Sequence, residues 1–377
     1  MKIRVERDVL AEAVAWAARS LPARPPVPVL AGLLLKAEDG SLSLSGFDYE
    51  VSARVSVEAD VEEDGTVLVS GRLLADICRA LPNRPVEIST DGVRVTVVCG
   101  SSRFTLHTLP VEEYPSLPQM PTATGTVPGE VFASAVAQVA IAVDRDDTLP
   151  VLTGVRIEIE GDTVTLASTD RYRFAVREFM WKPETPDISA VALVPAKTLL
   201  DTAKSLSGGD TVSLALSGSG AGEGLIGFEG AGRRTTTRLL EGDLPKYRTL
   251  FPTEFNSVAV IETAPFVEAV KRVALVAERN TPRAPQLRAG RAHPGGSAPA
   301  TTHRLWKGST PSSRATTSRS RSTPASCWRA CPPSTRRSPS SPSPPPPSPR
   351  CSAVSLAVDA EADEAYKYLI MPVRLSG

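Results

Sequence analysis

Pro28-Val29-Leu30-Ala31-Gly32 returns as Pro150-Val151-Leu152-Thr153-Gly154, and the step from position 28 to position 150 sets a period of 122 residues. The same step carries Ser45-Gly46-Phe47-Asp48 onto Ala167-Ser168-Thr169-Asp170. It also carries the helical spacing Leu10, Ala13, Val14, Ala17 onto Phe132, Ala135, Val136, Val139. A register held over about forty positions marks a duplicated unit of roughly 120–130 residues. A third start follows at Phe266, Ala269, Val270 and Val273, ending in Glu278-Arg279-Asn280-Thr281-Pro282. Three copies fit a chain of 377 residues, with expected bounds 1–122, 126–252 and 255–377.

Each copy opens on an amphipathic helix and continues in short strands. Leu33 to Leu44 reads as two strands joined at Asp39-Gly40, and Val155 to Leu166 alternates with period two around Gly161-Asp162. A second helix is expected at Gly71–Asp76 and again at Ala196–Asp201. The copies close on Leu109-Pro110-Val111-Glu112-Glu113-Tyr114-Pro115 and on Leu240 to Tyr247. Two helix-plus-sheet halves per copy, with helices segregated from antiparallel strands, give an α+β class.

The formal charge of zero is an average over two unlike parts. Residues 282–352 hold Lys307, eleven Arg and no Asp or Glu, so they carry 12 of the 42 basic residues. The remainder has 30 basic against 42 acidic residues, a net charge of −12. Such a body does not wrap nucleic acid by bulk charge, though a local basic surface is compatible with it. Three of the five cysteines lie in that stretch, and Cys327-x-x-x-Cys331 has no companion pair at metal spacing. A reducing compartment, no metal and no cofactor are expected. The opening Met1-Lys2-Ile3-Arg4-Val5-Glu6-Arg7 has no apolar signal core, and no apolar run reaches the roughly 18 residues of a membrane span. A soluble, cytoplasmic protein is expected.

From Pro282 to Ser352 the repeat pattern stops. Those 71 residues contain no Val, Ile, Phe, Tyr or Met, and they end in Ser-Pro runs such as Ser343-Pro344-Pro345-Pro346-Pro347-Ser348. Read as written, the stretch cannot fill a core and is expected to be disordered. Yet the codons for Ser338 to Val354, taken out of phase, permit an alternating strand and turn. Those for Gln286 to Gly296 permit a strand pair in the other phase. The preferred reading is therefore a segment out of frame that disrupts the third copy.

The motifs Met1 to Arg7, Arg24-Pro25, Pro28-Val29-Leu30-x-Gly32 and Gly46-x-Asp48-x-Glu50 resemble the bacterial DNA polymerase III β subunit, the sliding clamp family. So do Thr169-Asp170-x-x-Arg173, Pro245-x-Tyr247-Arg248 and the terminal Tyr368-Leu369-Ile370-Met371-Pro372-Val373-Arg374-Leu375. The resemblance covers residues 1–281 and about 353–377. It implies three similar domains in a half-ring and a homodimeric ring of six, with helices lining the hole and sheets outside. The ring would encircle double-stranded DNA without reading sequence and tether the polymerase III α subunit, performing no chemistry.

The same resemblance implies two sites. DNA-facing cations are expected at Arg24 and Lys197, which the resemblance places near DNA, and at Arg72, Lys271, Arg272 and Arg279, which lie on or beside the expected helical segments. A pocket for short peptides of the polymerase, the clamp loader and other partners is expected from Leu152, Thr169, Arg171, Tyr172, Arg173, Phe174, Pro245 and Leu250. The last strand adds Leu369, Met371, Pro372, Val373 and Arg374. Apolar walls would take hydrophobic anchors while Arg and Thr orient polar atoms.

Other readings are weaker. Asp144, Asp146 and Asp147 are grouped as in a metal-dependent nuclease, but no partner motif supports that chemistry. The histidines are His107, His293 and His303, and His107 sits in an expected strand rather than beside a nucleophile. The glycine-rich run 218–232 lacks the Lys-Ser/Thr ending of a phosphate loop. A diverged clamp paralogue, binding partner peptides without closing a ring, is the alternative. With residues 282–352 as written, a monomer is expected.

Overall fold

The structure is a computed structural model that describes residues 1–217, 224–251, 263–275, 286–288, 291–293, 352–355 and 365–370. The first repeat runs β1 (Lys2–Val5), α1 (Arg7–Ala17), β2 (Gly32–Glu38), β3 (Ser41–Phe47), β4 (Val51–Glu58) and β5 (Asp60–Glu63). It continues β6 (Gly65–Ser70), α2 (Gly71–Ala80), β7 (Val86–Asp91), β8 (Arg94–Cys99) and β9 (Ser102–Leu109). The second repeat runs β10 (Ala123–Pro128), α3 (Gly129–Ala140), β11 (Gly154–Glu160), β12 (Thr163–Thr169), β13 (Arg173–Met180) and β14 (Lys182–Pro183). It ends with β15 (Ser189–Pro195), α4 (Ala196–Leu206), β16 (Thr211–Ser217), β17 (Leu225–Gly230) and β18 (Arg233–Arg238). After it come α5 (Thr263–Ala274), β19 (Gln286–Arg288), β20 (Arg291–His293), β21 (Ser352–Ser355) and β22 (Tyr366–Ile370). Displaced by 122, the bounds of β2, β3 and β4 fall on those of β11, β12 and β13 without a slip.

Local chemistry explains the repeated elements. Leu10, Ala13, Val14 and Ala17 all point into the core from α1, and Phe132, Ala135, Val136 and Val139 are buried on α3. At the β2–β3 turn Asp39 and Gly40 both adopt positive φ, 49° and 70°, the geometry of a two-residue hairpin. Pro28 opens a short 3₁₀ turn over Pro28–Ala31, and Gly32 then starts β2. A β-carbon at Gly32 would sit 2.6 Å from Leu68 Cδ1 and 2.8 Å from the Val29 carbonyl. Close packing under the turn requires glycine there.

The chain divides into two compact units. The first comprises Met1–Val136, Ile157–Val164 and Met180–Gly242. It holds one 14-stranded sheet in the order β14-β10-β16-β17-β18-β4-β3-β2-β6-β9-β8-β7-β1-β5. Within it, the first repeat's core packs α1 and α2 side chains such as Leu10, Val14, Leu74 and Ile77 against sheet residues such as Leu33, Leu44, Ile88 and Val97. The last strand of the second repeat joins the fourth strand of the first: β18 pairs antiparallel with β4, from Arg233 opposite Val55 to Thr237 opposite Val51.

The second unit comprises Ala137–Arg156, Thr165–Phe179 and Asp243–Gly377. The same junction recurs in it, one repeat further along. β22 pairs antiparallel with β13, from Arg173 opposite Ile370 to Arg177 opposite Tyr366, and β21 pairs with the other edge of β22. Within the stretch 282–352, β19 and β20 form a short antiparallel ladder with Gln286 opposite His293. The rest of the expectation for that stretch lies outside the described residues.

Candidate peptide pocket and nucleic-acid interface

The turn between β12 and β13 builds the centre of the expected pocket. The Asp170 carboxylate folds it: Oδ1 accepts the Tyr172 and Arg173 backbone N–H groups at 3.1 and 3.0 Å, and Oδ2 accepts Arg173 Nε at 2.7 Å. Thr169 Oγ1 donates to the Arg173 carbonyl at 2.7 Å and accepts the Arg171 N–H at 3.1 Å. With the backbone so tied, Arg171 takes a φ of 76°, a left-handed conformation that non-glycine residues adopt at a cost. Its side chain and that of Tyr172 stand out into solvent. The first repeat makes the same turn, with Asp48 Oδ1 accepting from Glu50 and Val51 and Tyr49 at a φ of 73°.

Beneath the turn lies a small aromatic core. Phe174 is fully buried, its ring centroid 5.6 Å from that of Tyr247 and 6.4 Å from that of Phe251. Ala167, Val176, Tyr247 and Leu369 complete the cluster, with Leu250 packed against it. Arg173 Nη1 reaches the Tyr368 hydroxyl at 3.4 Å, and the Tyr366 hydroxyl donates to the Gln138 carbonyl at 3.2 Å. Leu152 is buried on its 3₁₀ turn, whereas Pro245 is exposed. The loop before Leu152 is tied to the rim by an ion pair between Arg171 and Asp144, 3.4 Å apart. The Asp144 carboxylate is held below its ordinary range, first by the Asp146 N–H, then by the Arg145 N–H and the Arg171 charge.

The expected DNA-facing cations are surface residues. Arg24, Arg72, Lys197, Lys271 and Arg272 are exposed, and Lys271 pairs with Glu268 on its own helix at 2.8 Å. Arg72 donates to the Pro22 carbonyl at 3.1 Å, which ties the loop carrying Arg24 to α2. A groove of about 480 Å³ opens between α1 and α2, lined by Ala15, Ala18, Arg19, Arg72, Ala75, Asp76 and Arg79. Three guanidinium groups over an alanine floor outweigh the single Asp76, so this face is locally basic on an acidic body.

Family models match twice in succession: DNA polymerase III beta subunit, N-terminal domain, over residues 1–118, and its central domain over residues 126–246. The chain belongs to the DNA polymerase III beta subunit family. It is 76% identical to the beta sliding clamp of Streptomyces coelicolor over 387 aligned residues, covering the whole of both chains. It is 56% identical to the beta sliding clamp of Micrococcus luteus, over 74% of this chain and 90% of that one. The crystal structure of a Pseudomonas aeruginosa sliding clamp bound to griselimycin superposes with a TM-score of 0.71 at 27% identity, over 77% of this chain and 78% of the other.

For a clamp, the expected pocket residues divide three ways, with Leu152, buried, and Pro245, exposed, standing outside both the turn and its cluster. Thr169, Arg171, Tyr172, Arg173, Phe174, Leu250 and Leu369 gather around one turn and the cluster beneath it. Phe174 stands in this gathering as a buried support for the turn rather than as exposed wall. Met371, Pro372, Val373 and Arg374, like the DNA-facing Arg279, lie outside the described residues. Sequence reasoning passed over Asp170 as a site residue, although it stands inside the motif Thr169-Asp170-x-x-Arg173. It also passed over Arg79, whose spacing of seven from Arg72 places both on one helix face. Arg19 carried no such signal. Among the described residues no group of three or more His, Cys, Asp or Glu side chains could hold a metal ion. Asp144 and Asp146 instead accept local backbone N–H groups. No described helix is long and apolar enough to cross a membrane.

Proposed function

We propose that this clamp encircles duplex DNA, with Arg24, Arg72, Lys197, Lys271, Arg272 and Arg279 toward the duplex, and captures partner peptides at the Thr169–Phe174 turn. The three-domain division at 1–122, 126–252 and 255–377 belongs to this reading, as does a cytoplasmic location. The homodimeric ring is the assembly that goes with an intact third domain, and the polymerase III α subunit and the clamp loader are its partners. One observation carries the peptide site: a strained turn, fixed by Asp170 and Thr169, holds Arg171 and Tyr172 outward over a rigid aromatic floor. Preformed sites of this kind keep most of the binding free energy that ordering a loop would otherwise cost. A body with a net charge of −12 outside residues 282–352 suits a protein that holds DNA by topology, because each phosphate neutralised would deepen binding and its salt dependence.

Griselimycin serves as the probe for the pocket. Tyr172 and Arg171 are exposed, so Tyr172→Ala and Arg171→Ala should leave the fold intact and weaken griselimycin binding at least tenfold in calorimetry. Equal affinity of both variants and the unaltered chain would move the pocket elsewhere.

A further inference from the structure

Arg233 opens β18 directly after a tight turn in which Ala231 and Gly232 both have positive φ, 49° and 71°. Its side chain is only 17% exposed and meets two different helices. Nη1 donates to the Ser205 carbonyl at 2.8 Å, in the last turn of α4, where carbonyls lack intrahelical partners. Nη2 donates to Glu12 Oε1 at 2.5 Å, and the guanidinium carbon lies 5.6 Å from the centre of the Trp16 ring. Glu12 and Trp16 are four apart on α1 and so share a face. One planar cation thus ties the first repeat's α1 to the second repeat's α4.

The two repeats are otherwise joined on the sheet side by the β4–β18 ladder and by the Ser52–Thr236 hydroxyl contact at 2.6 Å. A ladder alone fixes a line about which packed elements can pivot. A second tie in the helix layer removes that freedom. We infer that Arg233 is a positioning residue that fixes α1 of the first repeat against α4 of the second, and with them the spacing between the basic α1–α2 groove and Lys197. The geometry demands arginine: two separated acceptors need a fork, and the indole takes a flat cation. The part of the inference that concerns DNA rests on the proposed clamp function; the mechanical part does not.

Hydrogen–deuterium exchange on the full chain tests it with Arg233→Ala, Arg233→Lys and the reversed pair Glu12→Arg/Arg233→Glu. In Arg233→Ala, amides in residues 12–18 and 202–207 should exchange at least tenfold faster, while Val51–Val55 and Thr235–Thr237 keep their protection. Arg233→Lys should recover part of the α1 protection and none at α4; the reversed pair should likewise recover α1 alone. Unchanged exchange in both helices would overturn the inference. So would full recovery by lysine, or loss of protection that also spreads through the β4–β18 ladder. Direct binding to a 30-base-pair duplex, measured by fluorescence anisotropy as a function of salt, provides the DNA arm, because a duplex with open ends reports phosphate contacts at the basic groove and not topological retention. Loss of binding in Arg72→Ala with normal exchange would isolate the DNA reading from the tie. An unaltered chain that ignores duplex DNA would sink that reading and leave the exchange result standing.

Discussion

Asp170 shows how much one carboxylate can organise. Its three hydrogen bonds shape the turn on which Arg171 and Tyr172 stand. Asp170→Ala should destabilise the second unit by about 1–3 kcal/mol, since it strands backbone donors, and should weaken griselimycin binding as well. Denaturant unfolding and calorimetry check the two effects separately. Phe174→Ala, which empties the aromatic floor, should cost about 3–5 kcal/mol. Asp144 makes a pH prediction. Its folded-state pKa is depressed, so its contribution is present above the ordinary carboxylate value of about 4 and is lost as pH falls through the folded value. The amides of Arg145 and Asp146 should therefore lose exchange protection at lower pH than a free carboxylate would titrate. Asp144→Asn should remove that transition. Cys78 is a further check: burial pushes its thiol up to about 12 despite nearby Arg7, so alkylation at pH 8 should require unfolding. The turn motif was legible as Thr169-Asp170-x-x-Arg173. The inward rotation of Phe174 was not, because an apolar residue in an alternating strand can face wall or core alike.

At the scale of elements, β22 is the informative case. This five-residue strand supplies Leu369 to the cluster under the turn and Tyr368 to Arg173, although it lies almost two hundred positions away from them. Removing residues 365–377 should uncover the edge of β13 and take a wall from the aromatic cluster. The expected outcome is concentration-dependent association seen by light scattering, as an exposed strand edge recruits another. Griselimycin binding should disappear in the same truncation. The hairpins themselves were readable, since Asp39-Gly40 and Gly161-Asp162 carry their own turn chemistry. The pairing of β18 with β4 and of β22 with β13 was not readable, because backbone ladders between distant strands leave no local trace in either partner.

For the whole molecule, residues 282–352 outweigh any single contact. They offer no Val, Ile, Phe, Tyr or Met from which a third core could be assembled, and they hold 12 cations without a carboxylate. With this stretch in place, light scattering should report a monomer near 39.9 kDa, whereas a stable species of twice that mass would show that the ring closes regardless. Restoring the two alternative reading phases should yield the dimer. The sequence by itself determined the duplication, the α+β class, the family and the acidic body, because these follow from periodicity, turn residues and charge counts that each residue carries locally. Only the tertiary structure decided that β18 docks on β4 and β22 on β13, that Asp170 shapes the turn on which Arg171 takes a positive φ, and that Arg233 spans α1 and α4. Those arrangements join residues tens to hundreds of positions apart, and their energies depend on burial and hydrogen-bond geometry that exist only once the chain has packed.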